Sequence, residues 1–144
     1  MIHIEHNLIT PDEANFLLES YHPKSLKFRN AGYWHSILDQ IVNCIEFYID
    51  KTIGLETIIT RHKMTQNQPH MIWHTDSGDE YPFCTYGCSL LLNEDFEGGQ
   101  FCYRHKQLET REHYCSLAIH DSKTEHMVKQ VTSGERHTLL FFVE

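Results

Sequence analysis

No stretch of the 144 residues approaches the run of about 18 apolar side chains that a membrane-spanning helix needs. Basic clusters are also missing: 12 Lys and Arg stand against 20 Asp and Glu, a formal net charge of −8. A nucleic-acid partner needs a positive footprint to neutralise phosphates, so the expectation is no nucleic acid. The same acidic surface suits a neutral or basic substrate, such as a peptide. There is no internal repeat, low-complexity tract or Pro/Gly-rich linker, and 40% of residues are hydrophobic. That combination predicts one domain over residues 1–144 with a substantial core. The opening "MIHIEHNLIT" lacks the basic flank and long apolar centre of a secretory signal, so a cytoplasmic protein with no membrane attachment is expected. No feature specifies an oligomeric state.

Five cysteines, an odd number, sit among apolar or aromatic neighbours: Cys44, Cys84, Cys88, Cys102 and Cys115. They read as reduced core thiols. The sharper alternative is a zinc site on Cys84 and Cys88, but that C-x3-C spacing has no second pair to close a tetrahedral cage.

The first third carries helix signals, with helical support expected over about 10–54. Thr10 is a good N-cap, Pro11 suits the first helical position and Glu13 completes a capping box. Ala14, Phe16, Leu17, Leu18 and Tyr21 then fall largely along one side. A second helix is predicted from about Ser36 to Asp50. Its apolar stripe is Ile37, Leu38, Ile41, Val42, Ile45, Phe47, Tyr48 and Ile49, with Gly54 as its stop. From about 56 to 143 the texture changes to short segments rich in β-branched and aromatic residues. These are "ETIITRHKM", "HMIWHTD", "TYGCSLLLN", "GQFCYR", "HYCSLAIH", "MVKQVT" and "HTLLFFVE", with "NEDFEGG" and "SGE" as turns between them. Many short strands after two helices predict an antiparallel jelly-roll with helices supporting one face.

The triplet His74-Thr75-Asp76 lies among these segments. With 12 histidines in the chain, an H-x-D pattern alone is near background. In a strand, however, His74 and Asp76 would point the same way, and a third ligand could come from another strand. His126, 50 residues beyond Asp76, is the candidate, with His120 as its competitor. Two histidines and one carboxylate on one side of an iron leave three positions open for substrate and oxygen. Ten residues after His126, Arg136 heads the apolar strand "HTLLFFV" and could hold a carboxylate bidentately. Thr138, two residues on, would add a hydroxyl from the same strand face. Trp73 should face the opposite side of its strand, toward the core. Gly98 and Gly99 serve backbone turns. Arg29, Tyr33 and Trp34 in "RNAGYWHS" are a candidate lid or a packed linker, and Asp79 and Glu80 read as loop residues.

His74-x-Asp76, His126 and Arg136, in that order, resemble the iron(II)- and 2-oxoglutarate-dependent dioxygenases, in their prolyl- and lysyl-hydroxylase-like branch. "SLLLNEDFEGGQFCY" and "HMVKQVTSGERHTLLFFV" are similar to that family as well, so the resemblance covers about Glu56 to Val143. It implies a double-stranded β-helix fold, with iron(II), 2-oxoglutarate and O2 as cofactor and cosubstrates. It also implies His74, Asp76 and His126 as metal ligands and catalytic centre, and Arg136 with Thr138 on the far carboxylate of 2-oxoglutarate. The implied reaction hydroxylates an unactivated C–H bond of a peptidyl side chain or small molecule, releasing succinate and CO2. One departure stands out: Met64, Thr65 and Leu90 occupy stretches where the branch places a tyrosine on the cosubstrate. Tyr86 or Tyr103 are candidate replacements. The competing function is a binding or scaffold protein on the same fold with a vestigial or structural metal. A nucleic-acid demethylase conflicts with the acidic charge, and halogenase chemistry conflicts with the carboxylate of Asp76.

Overall fold

The computed structural model describes residues 1–28, 36–69, 71–78, 80–104 and 114–144. Arg29, Tyr33, Trp34 and Asp79 lie outside them. In chain order the elements are β1 (Ile2–Glu5), α1 (Pro11–Ser20), β2 (Leu26–Lys27), α2 (Ser36–Ile49), β3 (Ile58–Thr65) and β4 (Tyr86–Leu91). β5 (Phe96–Gly98), β6 (Phe101–Tyr103), β7 (Leu117–Asp121), β8 (His126–Val128) and β9 (Val131–Val143) follow.

Helix α1 begins where local chemistry places it. The Thr10 hydroxyl accepts from the Glu13 amide at 3.1 Å while the Glu13 carboxylate accepts from the Thr10 amide at 2.9 Å, the reciprocal capping box. Its last carbonyls are capped by a strand. Arg61 of β3 donates through Nη1 to the carbonyls of Leu17, Leu18 and Tyr21 at 3.2, 3.2 and 3.0 Å. Helix α2 stops at Asp50, which takes a left-handed φ of 55°, rather than at Gly54. Gly54 serves the chain end instead, donating its amide to the Glu144 carbonyl in a space that the Glu144 side chain would deny to a Cβ.

Six strands run β1-β7-β4-β9-β3-β2 in one antiparallel sheet, and β5 adds to β9. The period of two along β9 sorts its side chains. Leu139, Phe141 and Val143 face the helices and join Ile37, Leu38, Ile41 and Ile45 of α2 in the main core. Each such fully buried side chain contributes roughly 1.5–3 kcal/mol. Arg136, Thr138, Leu140 and Phe142 take the other face, toward a small sheet of β6 and β8 and a second cluster of Met64, Phe101, Tyr103, Val128 and Val131.

Several expectations are corrected here. Strand content begins at Ile2, because β1 pairs with β7 (Ile2↔His120 to Glu5↔Leu117), and β2 lies within the segment read as helical. "NEDFEGG" contains β5. "SGE" is not a turn: it lies inside β9, where Gly134, at φ 75°, passes so close to Asp95 and Phe96 that a Cβ would meet the Asp95 carbonyl oxygen at 2.6 Å. Gly98 and Gly99 do have positive φ, 72° and 65°, at the bulged end of β5. Phe16 and Phe47 are exposed, the latter by 76%, and Tyr48 is half-buried, because the sheet covers only the inner part of each predicted stripe. All five cysteines are free, and four are buried. Burial pushes the Cys84 thiol up to about 12 and Cys88 well above its usual value, so these behave as inert core groups.

Candidate active site

The segment "HMIWHTD" forms no regular strand among the described residues. It makes one isolated bridge, in which His74 N donates to the His126 carbonyl and His126 N to the His74 carbonyl, both at 3.0 Å. That reciprocal pair sets the two histidines side by side, ring centroids 4.4 Å apart. Asp76 is brought in by a bend, its amide donating to the Ser122 carbonyl at 3.1 Å, and not by strand alternation. Trp73 is not core: it is 39% exposed, with the Arg104 guanidinium 5.9 Å from its ring centroid.

The ligand atoms of His74, Asp76 and His126 all lie within 4.8 Å of one another, the spacing a single cation could bridge. Each histidine is already oriented for that use. His74 Nδ1 bonds the Ile72 carbonyl and His126 Nδ1 the Thr124 carbonyl, both at 2.9 Å, so Nδ1 carries the proton. The Nε2 lone pairs are left as donors to a metal. Burial alone would raise the Asp76 carboxyl. The hydrogen bond from His120 outweighs it and holds this group well below the usual carboxylate range. Two imidazoles and one carboxylate of this kind suit a divalent first-row metal with open positions.

His120, the rival for His126, takes a different place. Its Nε2 lies 2.7 Å from Asp76 Oδ2, its Nδ1 lies 2.8 Å from the Tyr103 hydroxyl, and it is 2% exposed. Burial lowers its pKa, keeping the ring neutral.

A cavity of about 490 Å³ joins this cluster to Arg136 and Thr138. Among the described residues, Arg136 Nε and Thr138 Oγ1 have no hydrogen-bond partner and no carboxylate pairs with the guanidinium, which is 5% exposed. Burial without a counter-ion lowers Arg136 from its usual 12.5 to about 10, which leaves it cationic at neutral pH. A buried, unpaired cation beside an unpaired hydroxyl is a costly arrangement that a bound carboxylate would satisfy. The donor set therefore fits both a metal and an anionic group. The third polar residue at that position is one the sequence reading passed over. His62, opposite Thr138 in the β3–β9 register, lines the same cavity and is held neutral by burial and by the charge of Arg136. It stands two residues from Met64 on the same strand face, which is the one signal that could have found it. Neither Tyr86 nor Tyr103 lines the cavity: Tyr86 packs on the helix-side core and Tyr103 serves His120. Apolar walls come from Phe101, Val128, Leu140 and Phe142.

No protein-family model matches the chain, and no curated protein matches it in sequence. Its fold matches solved structures over nearly its whole length. A prolyl-4-hydroxylase from Pseudomonas putida is similar at TM-score 0.74 and 14% identity, over 99% of this chain and 84% of that one. The viral collagen prolyl hydroxylase from Paramecium Bursaria Chlorella virus-1, solved as a 2OG complex, is similar at 0.69 and 14%, over 99% and 94%. An oxidoreductase of the 2OG-Fe(II) oxygenase family from Burkholderia pseudomallei follows at 0.67 and 14%, over 99% and 84%. At that identity the likeness establishes the fold. The chain is mostly β with N-terminal supporting helices around a core of the jelly-roll kind that the strand pattern predicted, in the double-stranded β-helix form that the resemblance implied.

Proposed function

We propose that this chain is an iron(II)- and 2-oxoglutarate-dependent oxygenase that hydroxylates an unactivated C–H bond of a peptidyl side chain or small molecule. The observation that carries this reading is a single cavity lined by both a His–Asp–His set and a buried guanidinium with no counter-ion among the described residues. The fold shared with prolyl hydroxylases adds support.

His74 and His126 would hold iron(II) through Nε2 and Asp76 through its carboxylate, a facial set that leaves three positions open. Arg136 would grip the far carboxylate of 2-oxoglutarate with its planar fork, and Thr138 Oγ1 and His62, which line the same cavity, would add hydrogen bonds. When bound, iron(II) with 2-oxoglutarate and O2 supplies the oxidising power for C–H hydroxylation, with succinate and CO2 released. The chain's own contribution is geometric. The Ile72 and Thr124 carbonyls fix the two imidazole orientations. Phe101, Leu140 and Phe142 form apolar walls that displace water from the reacting end.

Anaerobic addition of iron(II) and then 2-oxoglutarate should produce the visible charge-transfer band of the chelate. His126→Ala should abolish it and Arg136→Ala should weaken it. Iron binding without any band would refute 2-oxoglutarate as cosubstrate, and absence of iron binding would refute the whole reading.

A further inference from the structure

Asp76 has two carboxylate oxygens, and the structure treats them differently. Oδ1 lies 3.4 Å from His126 Nε2, on the side of the histidine pair. Oδ2 lies 2.7 Å from Nε2 of His120, a residue 44 positions away on β7. The carboxylate is ionised and so accepts; the proton on this contact sits on His120 Nε2. Nδ1 of the same ring then has a lone pair, and the Tyr103 hydroxyl, at 2.8 Å, donates to it. Tyr103 is fully buried and His120 nearly so. A three-member chain, Tyr103 to His120 to Asp76, thus runs from β6 through β7 to the cluster, with every donor matched to an acceptor.

The sheet is shaped to admit it. Gly87 of β4 stands opposite His120 in the register. A Cβ there would overlap Asp76 Oδ2 and come within 2.6 Å of His120 Nε2. Gly87 has an ordinary negative φ, so this glycine serves space and not backbone freedom.

We propose that His120 is a positioning residue that occupies Oδ2 of Asp76, so that Asp76 offers a metal one oxygen, Oδ1, with Tyr103 fixing the His120 tautomer. This rests on the metal-centre reading given above. The physical consequence is specific. A carboxylate with both oxygens free can swing about its Cβ–Cγ bond or take a metal with both oxygens, and the second oxygen would fill a position the reaction needs open. A carboxylate already bonded through Oδ2 does neither, and outer partners of this kind commonly change metal affinity 10–100-fold.

The test uses the full chain and cobalt(II) alone as an air-stable probe, reading its dissociation constant and its visible d–d spectrum. His120→Leu and Tyr103→Phe should each weaken cobalt binding about tenfold and alter the d–d bands. His120→Gln, which restores an N–H toward Oδ2, should recover most of the affinity and the native spectrum. Melting curves without metal check folding; if His120→Leu does not fold, Tyr103→Phe, which removes a single oxygen from a buried ring, carries the test. Wild-type protein that binds cobalt, with both variants binding within twofold and with unchanged spectra, would overturn this proposal alone. Wild-type protein that binds no cobalt would overturn the metal-centre reading and this proposal with it.

Discussion

Arg136→Met separates what this arginine does for binding from what it costs in folding. The guanidinium is 5% exposed, has no counter-ion among the described residues, and has its pKa lowered from 12.5 to about 10. At 1.36 kcal/mol per pKa unit, holding the charge there costs on the order of 3 kcal/mol. The sign is fixed by linkage. A base whose folded pKa is depressed destabilises the fold at every pH where it is charged, and here that includes neutral pH. Methionine has similar length and no charge, so removing the charge should stabilise the ligand-free protein, by about 1–3 kcal/mol after some packing loss. In a chain of this size that is a rise in Tm of a few degrees. The ligand response should move the other way. In wild-type protein with a divalent metal, 2-oxoglutarate at a hundred times its Kd should add about 2.7 kcal/mol, a further upward shift. The methionine variant should lose that shift. Differential scanning calorimetry with and without 2-oxoglutarate reads both effects. A lower Tm for the ligand-free variant together with an undiminished 2-oxoglutarate shift would refute the assignment of Arg136 as an unpaired anion site.

Acidification gives a second check. His62, His120 and His137 all have pKa values lowered chiefly by burial, so the unfolded chain binds more protons than the folded one below about 6.5. Stability of the metal-free protein should therefore fall as pH drops from 7 toward 5, as followed by urea titration; a flat or rising profile would contradict three rings held neutral by their surroundings. Arg61→Ala should destabilise the fold by roughly 1–3 kcal/mol, since the carbonyls of Leu17, Leu18 and Tyr21 lose a shared charged donor. Faster hydrogen exchange confined to the C-terminal turn of α1 would locate the effect, and exchange unchanged there would count against the cap.

Local signals determined a good deal of this protein by sequence alone. The Thr10–Glu13 capping box and the apolar stripe of α2 act over three to fourteen residues, and both helices formed within a residue or so of where those signals lie. The apolar strand of "HTLLFFV" and the order His74, Asp76, His126, Arg136 were equally legible, since residue type and spacing carry them. Tertiary structure decided the remainder, because strand partnership is not local. Only the pairing of β5 with β9 shows that "NEDFEGG" contains a strand and that "SGE" continues one. Only the bridge between His74 and His126 explains how an H-x-D triplet outside any regular strand still presents both side chains to one point. Trp73 escaped the core for the same reason, since alternation has no force where there is no strand. His120 looked like a rival ligand until the fold placed Tyr103 and Asp76 on its two nitrogens, contacts spanning 17 and 44 residues. A histidine's chemistry is set by what its two nitrogens face, and that is a property of packing, which sequence spacing does not encode.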